Sequence, residues 1–151
     1  MLKTAALINQ LITDQINAHW RLFTWQQLVQ DELAQVFGNG DRFCTMNDTS
    51  ELKFMECCIK ESLRLYPTVL SIAREISEDI ELDGYKIPAG TNAGLMFLSL
   101  HRNAELFSDP LTYNPERFQG DQSTGQHPFA FVPFSAGPRN CIGKLTSHKL
   151  G

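Results

Sequence analysis

The sequence predicts a mainly α-helical chain with a small β-region, an α+β fold, in which a long irregular segment follows the regular elements. Three observations predict this fold. Apolar residues recur at helical spacing up to residue 66, alternate with polar residues between residues 76 and 87, and follow neither period after residue 100. With 151 residues, of which 42% are hydrophobic, the chain is long enough to bury the core of one domain.

Two helices are predicted before residue 41. In the first, over residues 4–18, the apolar side chains form a single stripe at helical spacing. The second helix takes Thr24 as its N-cap, the residue whose side chain accepts a hydrogen bond from the first turn. Its apolar residues repeat every three to four positions from Trp25 to Phe37, and the Gly-Asn-Gly of residues 38–40 ends it.

A third helix is predicted between Asp48 and Pro67. Asp48 is expected to be its N-cap, with Glu51 three residues later as the second acceptor of a capping box. Pro67 ends the helix because a proline disfavours the helical conformation of the residue before it. One face of this helix is apolar and consists of Leu52, Met55, Ile59, Leu63 and Tyr66.

A β-hairpin and a segment without regular structure follow. Asp83-Gly84 is a typical two-residue hairpin turn, and the flanking residues 76–82 and 85–87 alternate between apolar and polar side chains. A short apolar segment occupies residues 93–100. After it, prolines and glycines interrupt a stretch of about thirty residues, and an irregular connection of this length inside a compact domain usually has a function.

Composition and charge exclude several classes of function. The net charge of −4 comes from charges of both signs spread along the chain, so nucleic acid is not an expected partner. The apolar runs are too short for a membrane span, and the start of the chain turns polar too early for a signal peptide. The four cysteines lack the spacing of a zinc site, and Cys57 and Cys58 are interpreted as reduced thiols that are buried or half-buried.

Three motifs in the second half of the chain have ordinary explanations when each is taken alone. Glu61 and Arg64 stand three positions apart on the third helix, the spacing of a solvated ion pair. The "PERF" of residues 115–118 is compatible with a turn that carries a charged pair. Cys141, in "FSAGPRNCIG", is compatible with a free thiol in a Gly-Pro turn.

Taken together and in this order, the motifs resemble those of the cytochrome P450 family, the haem-thiolate monooxygenases. The family's haem-binding loop, Phe-x-x-Gly-x-Arg-x-Cys-x-Gly, is matched at every fixed position by Phe134, Gly137, Arg139, Cys141 and Gly143. The family's Glu-x-x-Arg and Pro-Glu-Arg-Phe motifs are matched by Glu61 with Arg64 and by residues 115–118. The sequence "PFSAGPRNCIG" is most similar to that of the family branch that includes fatty-acid ω-hydroxylases and related microsomal enzymes.

The resemblance divides the chain into three parts and implies a partial cytochrome P450 fold. Residues 25–143 resemble the carboxy-terminal part of the haem domain, which ends in a meander and the cysteine loop. In this part "WQQLVQDELAQVFG" resembles the family's helix J, "KESLRLYP" its helix K and "EDIELDGYKIPAGT" its small β-region. Residues 1–24 are a helical segment unlike the family, and residues 144–151 are a short tail.

The resemblance implies haem b as the cofactor, with the thiolate of Cys141 as the axial ligand of its iron. A thiolate ligand donates electron density to haem iron, which favours cleavage of a bound O–O bond. Phe134 would pack beside the ligand and shield its sulfur from water. The amides after Cys141 would donate hydrogen bonds to the sulfur.

Four other residues are implied to bind the haem. Gly137 and Gly143 would permit backbone conformations and a close approach to the porphyrin that a side chain obstructs. Arg139 would pair with one haem propionate, and Arg74 with the second.

A structural role is implied for Glu61, Arg64 and Arg117. In the family these residues form a buried ion network that ties helix K to the irregular segment before the cysteine loop. They are therefore not interpreted as acid-base catalysts. Loss of one member would leave an uncompensated buried charge.

The implied activity is haem-dependent insertion of one oxygen atom from O2 into a lipophilic substrate, with electrons from an NADPH-dependent reductase at the endoplasmic reticulum membrane. The family's oxygen-activating motif, (Ala/Gly)-Gly-x-(Asp/Glu)-Thr, is not found before the helix J resemblance, so no catalytic residue is assigned. The alternative is an inactive truncated or splice product that acts at most as an interaction module. Since no anchor or signal is recognised, such a product is expected to be cytosolic or unstable.

Overall fold

The computed structural model describes residues 23–38, 42–120 and 127–143 of the chain. The chain divides into two compact units, Met1–Met55 and Glu56–Gly151. The predicted helix at residues 4–18 lies outside the described residues. The other helices and two small antiparallel sheets confirm the predicted mixed fold, mainly α with a small β-region.

The first described helix, α1, covers residues 23–37. It ends as predicted at Gly38, whose φ of 60° lies in the left-handed region and whose N–H donates to the Ala34 carbonyl at 2.9 Å. The prediction that Thr24 is the N-cap is wrong, because residues 23 and 24 are already helical and an N-cap has a non-helical backbone.

Helix α2, Met46–Glu51, begins three residues earlier than predicted. Its N-cap is Thr45, and Asp48 is the third residue of a capping box: Asp48 N–H donates to Thr45 Oγ1 at 3.4 Å, and Thr45 N–H donates to Asp48 Oδ2 at 2.7 Å. Arg42 also donates two hydrogen bonds to the Asp48 carboxylate, at 2.6 and 2.8 Å. These bonds from Arg42, with those from Thr45, hold the pKa of Asp48 well below its usual range.

The predicted third helix is broken at Leu52, whose ψ of 64° is not helical, and it resumes as α3, Lys53–Leu65. The free N–H groups at the start of α3 are capped by Glu32 of α1. Its two carboxylate oxygens accept from the backbone N–H of Phe54 at 2.7 Å and of Met55 at 2.8 Å. A carboxylate distant in sequence therefore caps this helix in place of a local side chain.

The apolar face predicted for the third helix is buried only in part: Leu52 is buried, whereas its other four residues are half-buried or exposed. Ile59 and Tyr66, both assigned to that face, are 37% and 73% exposed. The buried residues of the helix are Cys57, Glu61, Arg64 and Leu65. The spacing of apolar residues did not predict this set, because two of the four buried positions hold the charged side chains of Glu61 and Arg64.

Two antiparallel two-stranded sheets follow α3. Strand β1, Ser71–Glu75, pairs with β4, Asn92–Met96, and strand β2, Ile80–Leu82, pairs with β3, Tyr85–Ile87. The β2–β3 pair is the predicted hairpin, and its turn places both Asp83 and Gly84 at positive φ, as a type I′ turn requires. The pairing of β1 with β4 was not predicted.

Helix α4, Phe97–His101, continues directly from β4. Beyond it, the described residues are irregular except for one 3-10 turn, Pro115–Phe118, so the predicted long irregular segment is confirmed there. Phe97, Phe107 and Ala130 are buried among these elements. Among the described residues, no helix combines the length and the apolar character that a bilayer span requires.

Replacing Thr45 by Ala is expected to lower the free energy of unfolding by about 1 kcal/mol, because the first turn of α2 loses its capping acceptor. Urea denaturation of the 151-residue chain measures this. Glu51→Ala is the matched control and should change stability by less than about 0.5 kcal/mol. A larger loss of stability in Glu51→Ala than in Thr45→Ala would favour the cap at Asp48 that was predicted from the sequence.

Candidate functional site

A buried ion pair lies on the inner face of α3. Both side chains, Glu61 and Arg64, have no exposed surface. Arg64 Nε donates to Glu61 Oε2 at 2.7 Å, and Arg64 Nη2 donates to Glu61 Oε1 at 2.8 Å. This two-bond geometry is the strongest that an arginine and a carboxylate form, and it offsets part of the cost of removing both charges from water.

The other donors of Arg64 bind backbone carbonyls far away in the sequence. Nη1 donates to the carbonyls of His101 at 2.8 Å and Pro110 at 2.7 Å, and Nη2 lies 3.3 Å from the carbonyl of Thr112. The guanidinium also lies over the ring of Phe107, 5.1 Å from its centroid. One side chain of α3 thus holds the end of α4 and the irregular segment that follows.

Arg117 is the third charged residue of this cluster. Its Nε lies 3.4 Å from Glu61 Oε1, and its Nη2 donates to the carbonyl of Asp109 at 2.9 Å. Glu61 Oε1 also accepts from the backbone N–H of Asn114 at 2.8 Å. The structure therefore brings together the three residues that the sequence assigned to a structural network, and we call Glu61, Arg64 and Arg117 the ion cluster.

The cysteine loop, residues 134–143, is closed by backbone hydrogen bonds. The N–H of Cys141 donates to the carbonyl of Phe134 at 2.9 Å, and the N–H of Asn140 donates to the carbonyl of Gly137 at 3.1 Å. Gly137 has a φ of 80°, a conformation that L side chains rarely adopt, although its surroundings would leave space for a Cβ atom. At Gly143 an added Cβ would stand 3.6 Å from the Cys141 sulfur.

An open cleft of about 410 Å³ lies beside this loop. Cys141, which is exposed, lines the cleft together with Phe134 of the loop and apolar side chains of other elements. Those apolar side chains are Leu63, Val69, Ile72 and Phe97. The cleft thus places a thiol at the edge of a mainly apolar cavity.

Two arginines also line the cleft. Arg139 belongs to the loop, and Arg74 of β1 reaches it, with Nη2 lying 3.4 Å from the Arg139 carbonyl. Four of the residues predicted to bind the cofactor therefore meet at one cavity: Arg74, Phe134, Arg139 and Cys141. The other two, Gly137 and Gly143, shape the loop without lining this cavity.

His101, which the sequence analysis did not single out, is completely buried. Its ring lies between those of Phe97 and Phe131, with centroid distances of 6.4 and 5.2 Å, and its Nε2 accepts from the backbone N–H of Val132 at 3.0 Å. Burial, with a smaller effect of the Arg64 charge, lowers the pKa of His101 to about 4. No motif marks this position, since a single histidine next to an apolar run usually indicates only a core residue.

Arg102 was not singled out from the sequence either, because no motif marks its position. Its Nη2 donates to the carbonyl of Leu65, the last residue of α3, and its guanidinium lies 5.7 Å from the ring centroid of Tyr66. This contact satisfies a carbonyl that a helix end leaves without a partner.

Sequence comparisons identify the family to which these elements, the ion cluster and the cysteine loop belong. The profile of the family described as Cytochrome P450 matches residues 24–147 of the chain. The chain therefore belongs to the cytochrome P450 family.

The chain is similar to several named members of that family. It is 50% identical over 119 residues to Cytochrome P450 4V2 of Mus musculus, a match that covers 79% of this chain and 23% of the relative. It is 44% identical over 132 residues to Cytochrome P450 4c3 of Drosophila melanogaster, covering 83% of this chain and 25% of the relative. The chain thus spans about a quarter of the length of the curated relatives it matches.

The residues around the cleft fit the haem that family membership implies. Haem has flat apolar faces and an edge with two anionic propionates. The cleft offers apolar walls, a thiol on its surface and two guanidinium groups, from Arg74 and Arg139, which are matched to carboxylates. The donor set thus has the chemistry of a haem-thiolate site.

Replacing Glu61 by Ala is expected to lower the free energy of unfolding by about 3–5 kcal/mol, because the buried Arg64 charge loses its bidentate partner. Haem retention should be lost with it. The matched control on the same helix is Glu56→Ala, which breaks the partly exposed pair with Lys60 at a cost of about 0.3–0.5 kcal/mol. Chemical denaturation of both variants tests this, and equal costs would contradict a special role for the buried pair.

Stability is expected to fall as the pH drops from about 6.5 to about 4. The pKa of His101 is about 4 in the fold and about 6.5 in the unfolded chain, so between these values the unfolded state binds more protons. The effect amounts to roughly 2–3 kcal/mol and is complete below the lower value. Urea denaturation between pH 7 and pH 4 measures it.

The variant His101→Gln should lack this part of the pH dependence, whereas His127→Gln, which changes an exposed histidine, should keep it. If the free energy of unfolding depends on pH in the same way in the wild type and in His101→Gln, His101 does not titrate as its burial requires.

Proposed function

We propose that the chain forms the thiolate side of a haem-dependent monooxygenase site, with Cys141 as the axial ligand of the iron. The observation that carries this proposal is the meeting of Cys141 with apolar walls and two arginines at one cleft. Membership of the cytochrome P450 family supports the same cofactor. Haem b would supply the iron at which O2 is activated for insertion of one oxygen atom into a substrate.

Each residue of the cleft has a distinct task in this proposal. Cys141 would bind the iron as a thiolate, the form of cysteine that ligates metals. Arg139 and Arg74 pair with the propionates and so orient the cofactor. Phe134, which lines the same cleft, would shield the sulfur from water once the haem is bound.

The two glycines of the loop act through the backbone. Gly137 takes the positive φ that turns the loop before Arg139. Gly143 leaves the space beside the sulfur without a side chain, since a Cβ there would be in van der Waals contact with it. Backbone amides that follow Cys141 can then approach the sulfur and tune its basicity.

The wider assignments follow from the family and are part of the proposal. We propose that residues 25–143 belong to a haem domain, that the substrate is lipophilic with fatty acids as the first class to test, and that an NADPH-dependent reductase supplies electrons. The proposed location is the endoplasmic reticulum membrane. The alternative, a chain that has no activity alone and acts at most as an interaction module, stays a prediction.

The decisive measurement is the carbon monoxide difference spectrum of the reduced chain after reconstitution with haem. We expect a red-shifted Soret band, the signature of thiolate ligation, which Cys141→Ser abolishes. Cys44→Ser is the matched control, because Cys44 is an exposed cysteine of the other unit and should leave the band unchanged. A band that survives in Cys141→Ser would assign the ligand to another residue, and absence of the band in the wild type would refute the proposal for this chain.

A further inference from the structure

His101 is bound on two sides by elements that the chain needs to hold together. Its backbone carbonyl accepts from Arg64 of the ion cluster at 2.8 Å. Its side chain accepts from the backbone N–H of Val132 at 3.0 Å. His101 is therefore a direct link between the ion cluster and the segment that leads into the cysteine loop.

The segment at Val132 continues into the ligand through two further backbone bonds. The carbonyl of Val132 accepts from the N–H of Ser135 at 3.1 Å, which forms the turn into the loop. The carbonyl of Phe134, inside that turn, accepts from the N–H of Cys141 at 2.9 Å. The position of Val132 thus sets where the turn begins, and the turn sets where the cysteine lies.

The polarity of the His101 ring is explained by this acceptor role and not by packing. The ring lies between Phe97 and Phe131, where an apolar ring would pack without cost. Because Nε2 accepts a hydrogen bond, the proton of the neutral ring is on Nδ1, which is buried and has no partner among the described residues. A buried donor without a partner is unfavourable. The hydrogen bond at Nε2 offsets part of the cost of the unpaired Nδ1.

We propose that His101 is a positioning residue for the cysteine loop, which acts by accepting the Val132 N–H and so fixes the direction from which Cys141 reaches the cleft. The consequence for the haem rests on the proposed function of Cys141 as the ligand. The hydrogen bond between His101 and Val132 does not depend on that function, so it can be tested in the chain without haem.

Two variants separate the acceptor from the packing of the ring. His101→Phe keeps an aromatic ring between Phe97 and Phe131 but has no acceptor. His101→Gln keeps an acceptor oxygen near the position of Nε2. In the haem-free chain, we expect the amide protons of Val132 and Cys141 to exchange about tenfold faster in His101→Phe than in the wild type, and at nearly the wild-type rate in His101→Gln.

The amide of Ile76 is the internal control for this exchange measurement, because it is bonded to the Thr91 carbonyl at 2.8 Å, beside the β1–β4 sheet. A selective acceleration at Val132 and Cys141 supports the proposal. Unchanged exchange at these two amides in His101→Phe overturns it. An equal acceleration at Ile76 shows a general loss of stability and also overturns the specific role.

The same variants after haem reconstitution test the consequence at the ligand. We expect His101→Phe to bind haem but to show a smaller fraction of the thiolate-ligated band, and His101→Gln to restore that fraction. If even the wild type lacks the band, the proposed function fails, whereas the exchange rates still support or overturn the positioning role. If all three chains show the same fraction, His101 does not position the ligand.

Discussion

The buried pair of Glu61 and Arg64 is the interaction on which the rest of the second unit depends. Two charges without exposed surface are stable only when every donor and lone pair has a partner. The α3 helix supplies one part of those partners, since the two residues satisfy each other at 2.7 and 2.8 Å. Backbone groups at the end of α4 and in the irregular segment supply the other part, so these two elements have one position in which the pair is fully satisfied.

The pair is better understood as a device that specifies position than as a source of stability. Apolar residues of similar volume often stabilise a core as well as a buried ion pair does. They would not, however, select particular carbonyls at particular places. Arg64 selects those of His101 and Pro110, and His101 in turn holds Val132 at the entrance of the cysteine loop. The position of the loop is thus linked to α3 by hydrogen bonds that pass through His101, the last residue of α4.

Local sequence patterns predicted the structural elements that are determined by residues close together in the chain. The turn at Asp83-Gly84 needs only two residues with positive φ, and it was predicted correctly. The cap of α2 was misplaced because Thr45 and Asp48 are both good capping residues and only the structure shows that Asp48 takes the third position of the box. Pairing of β1 with β4 depends on residues that are distant in the chain, so no local pattern reveals it.

The site was predictable to the extent that its motifs are contiguous. Residues 134–143 could be recognised as a motif because the pattern lies in one stretch, whereas the partner of His101 is a backbone amide whose position only the fold defines. The apolar stripe of the third predicted helix failed for a physical reason. A helix usually buries its apolar face, but here the charged face is buried and Ile59 is left partly exposed.

The convergence of three carbonyls on one guanidinium has a consequence for how the irregular segment opens. A segment without regular structure usually frays residue by residue, and a protease cuts it wherever it frays. Here the carbonyls of His101, Pro110 and Thr112 share a single buried cation. Release of any one of them begins to expose that cation, so we expect the segment to open together with the inner face of α3 as one cooperative unit.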